Sequence, residues 1–147
     1  MSTFKQALVL FERGAFADAA ALFSQAINAN DNLALAHSKR GVCRLRLGDQ
    51  QGACFDFEAA LRADPRCVSA LVNLGNVALE RGDLDSAQQH YERALQIDET
   101  YSFAHHNMAV LLRKRGDLAG SVRELRLAAR YEARPDRARK RLSFWRR

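Results

Sequence analysis

The sequence has few cysteines and prolines and no long apolar run. Disulfide-rich and many metal-stabilised proteins require cysteines, and membrane-spanning proteins require long apolar runs. The 147 residues include three cysteines and two prolines. Cys43, Cys54 and Cys67 are odd in number and lack the Cys-x-x-Cys spacing of zinc sites, so we predict reduced thiols. The apolar run at residues 7–11 is too short to span a bilayer. We therefore expect no transmembrane segment and, because no signal peptide is recognisable, a cytoplasmic protein.

Residues with catalytic chemistry are sparse and scattered. The eight glycines recur at intervals instead of clustering, which excludes a phosphate-binding loop. His37 and His105 lie far apart in the sequence, and the adjacent His105 and His106 point to different faces of a helix. No set of Ser, His and Asp assembles from the sequence pattern. We therefore predict no enzyme activity, no cofactor and no metal.

The dominant pattern is an internal repeat with a period of about 34 residues. Glycine recurs at equal spacing, at Gly14, Gly48, Gly82 and Gly116, and this spacing is here called the repeat period. Such a glycine can end a helix by adopting the left-handed conformation. In three of these four places an aspartate follows and can cap the next helix. Small residues recur seven positions before the glycine, at Ala7, Gly41, Gly75 and Ala109. Large residues recur nine positions after it, at Phe23, Phe57, Tyr91 and Leu125. Small residues allow two helices to approach closely, and large ones fill the space between neighbouring pairs.

This period, with its small and large columns and helix–turn–helix layout, resembles the tetratricopeptide repeat family over residues 1–135. The third repeat carries the most family residues, namely Leu71, Leu74, Gly75, Ala87, Tyr91 and Ala94. The family's tryptophan is absent from every repeat, and only Pro65 keeps the late proline in register. The resemblance implies an all-α, right-handed α-solenoid of four antiparallel helix pairs, closed by a C-terminal capping helix.

The pattern also predicts boundaries. The expected repeats are 1–33, 34–67, 68–101 and 102–135, followed by a basic capping segment at 136–147. The expected helices are about 2–13, 17–29, 34–47, 51–63, 68–81, 85–97, 102–115, 119–132 and 136–146.

In the tetratricopeptide family the first helix of each pair lines the concave side, and this implies a groove for a partner protein or peptide. Asparagine offers both a donor and an acceptor to a peptide backbone. Asn73 and Asn107 occupy equivalent positions, although a solvated polar helix face explains them as well. The predicted groove residues are Lys39, Val42, Val72, Asn73, Asn76, His106, Asn107 and Val110. Some members of the family hold the carboxylates of a partner with lysine, arginine and asparagine side chains. Only Asn73 of this sequence matches that set, so we do not expect a partner that is bound through its carboxylates.

The net charge of +6 arises from residues 130–147, which hold eight basic and two acidic side chains. Within that segment Ala138, Leu142 and Trp145 form one apolar helical stripe that predicts packing on the fourth repeat. The basic residues are Arg137, Arg139, Lys140, Arg141, Arg146 and Arg147. They provide an alternative function, the attraction of nucleic acid, acidic lipid or an acidic partner.

Three functions therefore remain open at the level of sequence. The leading one is an adaptor or scaffold that holds a segment of a partner protein in the concave groove. Nucleic-acid association through the basic segment is the alternative, and the neutral remainder of the chain argues against it. Self-association by stacking of open repeat ends is the third.

Overall fold

The computed structural model describes residues 1–133, and every element of regular structure in that range is a helix. The helices are α1 (Thr3–Glu12), α2 (Phe16–Asn28), α3 (Leu33–Arg46), α4 (Gln50–Ala63), α5 (Val68–Glu80), α6 (Leu84–Ile97), α7 (Ser102–Lys114) and α8 (Leu118–Glu132). Each boundary lies within one residue of the predicted one. The predicted ninth helix at 136–146 and the six basic residues assigned to it lie outside the described residues.

Each of the four turns within a helix pair contains a glycine with positive φ, and in three of them an aspartate that caps the next helix follows it. Gly48 has φ +87°, a conformation that L-residues with a side chain rarely adopt. The next residue, Asp49, accepts a hydrogen bond from the N–H of Gly52 at 2.8 Å and so caps α4. Asp83 and Asp117 cap α6 and α8 in the same way. The recurrent Gly-Asp pair therefore sets where one helix ends and the next begins.

The two helices of a pair approach closely at the small residues. A Cβ atom added to Gly75 would lie 2.5 Å from a ring carbon of Tyr91, and one added to Gly41 would lie 2.5 Å from a ring carbon of Phe57. Both distances are shorter than carbon atoms tolerate without displacement. The absence of a side chain at these positions is therefore what allows the large residues of α4 and α6 to pack against α3 and α5.

The core is a row of three clusters, and each cluster joins one helix pair to the first helix of the following pair. Phe23 packs with residues of α1, α2 and α3. Phe57 packs with residues of α3, α4 and α5, and Tyr91 with residues of α5, α6 and α7. All three of these large side chains are fully buried. A helix pair thus completes its core only when another first helix packs on it, which is the behaviour of a stacked repeat array.

The first helices α3, α5 and α7 form one layer of the stack. α3 contacts α5, and α5 contacts α7, whereas contacts among α4, α6 and α8 are weaker or absent within residues 1–133. Helices that approach one another more closely lie on the inner side of a curved array. In this part of the chain, no helix is both long and apolar enough to cross a bilayer.

Candidate functional site

One face of α3, α5 and α7 presents a regular grid of nine side chains, here called the inner surface. Its members share the spacing i, i+4, i+7, which places them on one side of each helix. They are Leu35, Lys39 and Val42 on α3, Ser69, Asn73 and Asn76 on α5, and Phe103, Asn107 and Val110 on α7. Each of the nine is partly buried or exposed. The inner surface is therefore open to a partner over three consecutive repeats.

The rows of this grid differ in polarity. The α5 row is entirely polar, whereas the α3 and α7 rows each combine one polar residue with two apolar ones. The most exposed apolar residues are Leu35 and Phe103, at 44% and 64% of their surface. Large apolar side chains held at such exposure are a feature of interaction surfaces. The grid thus offers a polar centre between two apolar margins.

Asn76 is fixed in place by the core beneath it. The Tyr91 hydroxyl donates a hydrogen bond to Asn76 Oδ1 over 2.6 Å. Burial raises the pKa of Tyr91, so the phenol stays protonated and remains a donor. This bond fixes the Asn76 amide, and its nitrogen remains available as a donor to a ligand.

Lys39 is held by an aromatic ring of the preceding repeat. Its ammonium group lies 4.9 Å from the centroid of the Phe11 ring, in a cation–π arrangement. This contact holds the charge over α1. Lys39 is therefore a cation at the α3 margin of the inner surface. The equivalent positions on α5 and α7 hold the neutral residues Asn73 and Asn107.

Two predicted groove residues differ from the rest. Val72 is only 3% exposed and packs in the core with Tyr91, so we correct the prediction that it contacts a partner. His106, at the equivalent position one repeat later, is exposed. The position is covered by the following repeat, as Ser38 is by Ser69 through a hydrogen bond of 2.9 Å. Within the described residues no repeat follows His106.

Sequence reasoning missed Leu35 and Phe103 as members of the inner surface. A signal was available, because residues 35, 69 and 103 recur with the repeat period, six positions before the small column. That column lies on the same helical face as residues 39, 73 and 107. Sequence reasoning also missed the polar contacts below the surface, although His37 and His105 lie two repeat periods apart, as do their carboxylate partners Asp56 and Glu124.

The polar contacts below the surface include a buried charge cluster around Asp56. This carboxylate is fully buried and accepts hydrogen bonds from Arg40 Nε and Nη2 at 2.9 and 2.7 Å. Arg44 Nη1 lies 2.9 Å from its second oxygen, and His37 Nδ1 lies 3.0 Å from its first. Arg40 also donates to Ser24 Oγ on α2. The cluster links two repeats and serves structure, because its carboxylate has no access to a ligand.

His105, like His37, makes contacts that stabilise the fold. His105 Nδ1 lies 2.6 Å from Glu124 Oε2, and its Nε2 lies 2.7 Å from the carbonyl oxygen of Glu99. Its ring stacks on Tyr131, with 5.5 Å between centroids. Within residues 1–133, no group of three or more His, Cys, Asp or Glu side chains is placed to hold a metal ion.

Comparison with known sequences identifies the family. Tetratricopeptide repeat profiles match residues 4–54, 56–102 and 102–126. The chain belongs to the tetratricopeptide repeat family. It is accordingly an α-solenoid, a structure that generally serves as a protein-interaction scaffold. Members of this family are typically not enzymes. The search of curated proteins gave no match.

Solved structures share the fold. A crystal structure of MamA superposes with a TM-score of 0.72, over 89% of this chain and 77% of that chain, at 19% sequence identity. MamA from residue 41 to its end, from Desulfovibrio magneticus RS-1, gives a TM-score of 0.70, over 91% and 76%, at 17% identity. At this level of identity the likeness shows the architecture alone.

Proposed function

We propose that this tetratricopeptide repeat protein is an adaptor or scaffold that holds a segment of a partner protein on its inner surface. The observation that carries the proposal is the exposure of Leu35 and Phe103 on either side of a polar centre. Apolar side chains at the margins supply the burial that stabilises a complex, and polar groups at the centre fix register. The repeats that contribute are proposed to be 34–67, 68–101 and 102–135, with 1–33 completing the array.

The asparagines favour an extended segment as the ligand. Asn73 and Asn107 are equivalent residues on neighbouring helices, and each side-chain amide can donate to and accept from a backbone peptide group. Asn76 adds a donor whose direction Tyr91 determines. A peptide without regular structure has unpaired backbone groups that match this arrangement, whereas a helix has already satisfied them.

The apolar margins set the spacing of side chains in the ligand. Neighbouring packed helices lie about 8–10 Å apart, so α3 and α7 are separated by roughly 16–20 Å. An extended chain covers that distance in about five or six residues, at ~3.3 Å per residue. We therefore expect a ligand with two apolar residues about six positions apart, one for Leu35 and one for Phe103, and polar or small residues between them.

The test is partner capture with matched variants. The parent protein on a resin should enrich a partner that is identified by mass spectrometry, and Asn73→Ala with Asn107→Ala should reduce its capture about tenfold or more without lowering the melting temperature. The matched control is Gln89→Ala with Gln96→Ala, which removes two exposed amides from α6 on the outer layer. If the control variant loses the partner and the asparagine variant keeps it, the binding face is the outer layer and the proposal fails.

The alternative function is association with nucleic acid or another acidic surface through Arg137, Arg139, Lys140, Arg141, Arg146 and Arg147. The concentration of the excess charge in this segment supports it. Binding through phosphates weakens steeply with salt, whereas binding on the inner surface should change little between about 50 and about 200 mM salt. A cytoplasmic location is proposed with either function, because Cys43, Cys54 and Cys67 are free thiols, as in a reducing compartment.

A further inference from the structure

The outer layer of the stack contains a cleft between α6 and α8, with a volume of about 420 Å³. Leu95, Met108 and Leu112 form its apolar floor. Glu92 on α6 and Glu124 on α8 lie on its two walls. No basic side chain of residues 1–133 lines this cleft. The described part of the chain therefore gives the cleft two carboxylates and no cation to balance them.

The equivalent place two repeat periods earlier, between α2 and α4, is filled by an arginine of the chain itself. Arg40 on α3 donates from Nη1 to Ser24 Oγ on α2 over 3.0 Å. Its Nε and Nη2 donate to the two oxygens of Asp56 on α4 over 2.9 and 2.7 Å. Arg44 adds a contact of 2.9 Å to the same carboxylate. The Arg40 guanidinium therefore bridges the two second helices.

The carboxylate of this arrangement is retained between α6 and α8. Glu124 lies two repeat periods after Asp56, and its partner His105 lies two repeat periods after His37. The histidine Nδ1 contacts the carboxylate in both places, at 3.0 Å from Asp56 and at 2.6 Å from Glu124. The two carboxylates are therefore equivalent in their surroundings as well as in the sequence.

The two arginines, by contrast, are not retained. Met108 and Leu112 stand at the positions of these arginines, two repeat periods later. Glu92 stands at the position of Ser24, and the amide of Gln88 donates to it over 2.9 Å. The cleft between α6 and α8 thus has one carboxylate more and two cations fewer than its counterpart between α2 and α4.

We propose that this cleft binds an arginine side chain of a partner protein, in the position that Arg40 occupies between α2 and α4. Glu124 accepts hydrogen bonds from the guanidinium as Asp56 does, and Glu92 adds a second negative charge on the opposite wall. The aliphatic stem of the arginine packs on the apolar floor. Arginine fits better than lysine, because its planar fork can donate two parallel hydrogen bonds to one carboxylate.

A metal ion fits the cleft less well than a side chain does. A hard cation requires six or more oxygen ligands, whereas the floor of this cleft is apolar and offers none. An arginine uses both features, since its stem is apolar and its head is charged. The cleft lies on the layer opposite the inner surface, so this inference is independent of the function proposed for that surface.

The two methionines of the chain provide a direct measurement. Met108 lies on the cleft floor and Met1 is exposed at the N-terminus, so NMR of isotope-labelled methionine methyl groups gives one signal from the cleft and one internal control. The probe is the peptide acetyl-Ala-Leu-Arg-Leu-Ala-amide. Its addition should shift the Met108 signal to saturation and leave the Met1 signal in place. The same peptide with citrulline, a neutral isostere of arginine, should give no saturable shift.

Matched variants separate the cleft from the general charge of the protein. Glu92→Gln should weaken peptide binding about fivefold or more, because it removes one of the two carboxylates. Glu58→Gln, the same change one repeat period earlier, should leave the affinity unchanged. Leu112→Arg supplies the counterpart of Arg44 from the chain itself and should also weaken binding. Leu118→Arg adds the same charge at an exposed position outside the cleft and should have no such effect.

An arginine peptide that produces no saturable shift of the Met108 signal overturns the proposal. So does equal binding of the citrulline peptide, because the cleft then recognises apolar groups alone. Equal weakening by Glu92→Gln and Glu58→Gln also overturns it. A Met108 signal that shifts as the concentration of the protein alone rises does the same, because the occupant is then a second copy of the chain. Asn73→Ala with Asn107→Ala should not affect this titration, so a failure here is distinct from a failure of the inner surface.

Discussion

Replacement of Asp56 by alanine is the sharpest test of what holds α3 and α4 together. Asp56 is fully buried and balances Arg40 and Arg44 through three contacts of 2.7–2.9 Å. His37 makes a fourth contact at 3.0 Å. Alanine removes every acceptor at once and leaves two cations facing one another without their shared carboxylate. Asparagine keeps the shape and part of the hydrogen bonding but removes the charge.

The expected loss of stability depends on how exposed the two arginine partners of Asp56 are. Loss of one member of a fully buried ion pair costs about 3–5 kcal/mol, because the remaining charge is left without compensation. Here the side chains of Arg40 and Arg44 are 14% and 30% exposed, so both can recover some hydration. We therefore expect Asp56→Ala to lower the free energy of unfolding by about 2–4 kcal/mol. The corresponding fall in melting temperature is roughly 6–12 °C for a chain of this length.

Urea unfolding followed by circular dichroism measures this loss, with Asp56→Asn as an intermediate variant. The control is Asp85→Ala, which removes the carboxylate that pairs with Arg115 on the surface. Asp85 is 86% exposed, and an exposed ion pair contributes little to stability. If Asp56→Ala and Asp85→Ala both unfold at the same urea concentration as the parent, the buried cluster does not stabilise the α3–α4 pair in solution and the reasoning is wrong.

Two further predictions concern the seam between helices and the thiols. Gly75→Ala should destabilise the chain by about 1–3 kcal/mol, because the new Cβ meets the Tyr91 ring at 2.5 Å. Urea unfolding like that of the parent would contradict this and show that α5 and α6 have room for a methyl group. Burial raises the pKa of Cys43 to about 11. At pH 8 it should stay protonated, so iodoacetamide should modify the partly exposed Cys54 first. Peptide mapping would contradict this if Cys43 reacted at an equal rate.

The helices could be predicted closely from the sequence because the signals that end and begin them are local. A glycine such as Gly48 and the aspartate after it act within one turn, and this pair recurs with the repeat period. The Asp56 cluster could not be predicted in this way. Asp56 lies in an amphipathic helix, where a carboxylate ordinarily faces water, and its partners lie on α3, the preceding helix of the chain. Only packing shows that all of them converge.

The same distinction explains the one correction among the predicted groove residues, Val72. Ser38, Val72 and His106 occupy one sequence column, yet the first two are buried and the third is exposed. Helical periodicity assigns a residue to a face of its own helix, but burial in a repeat array also depends on whether another unit covers that face. A column therefore has one environment inside the array and a different one at its end.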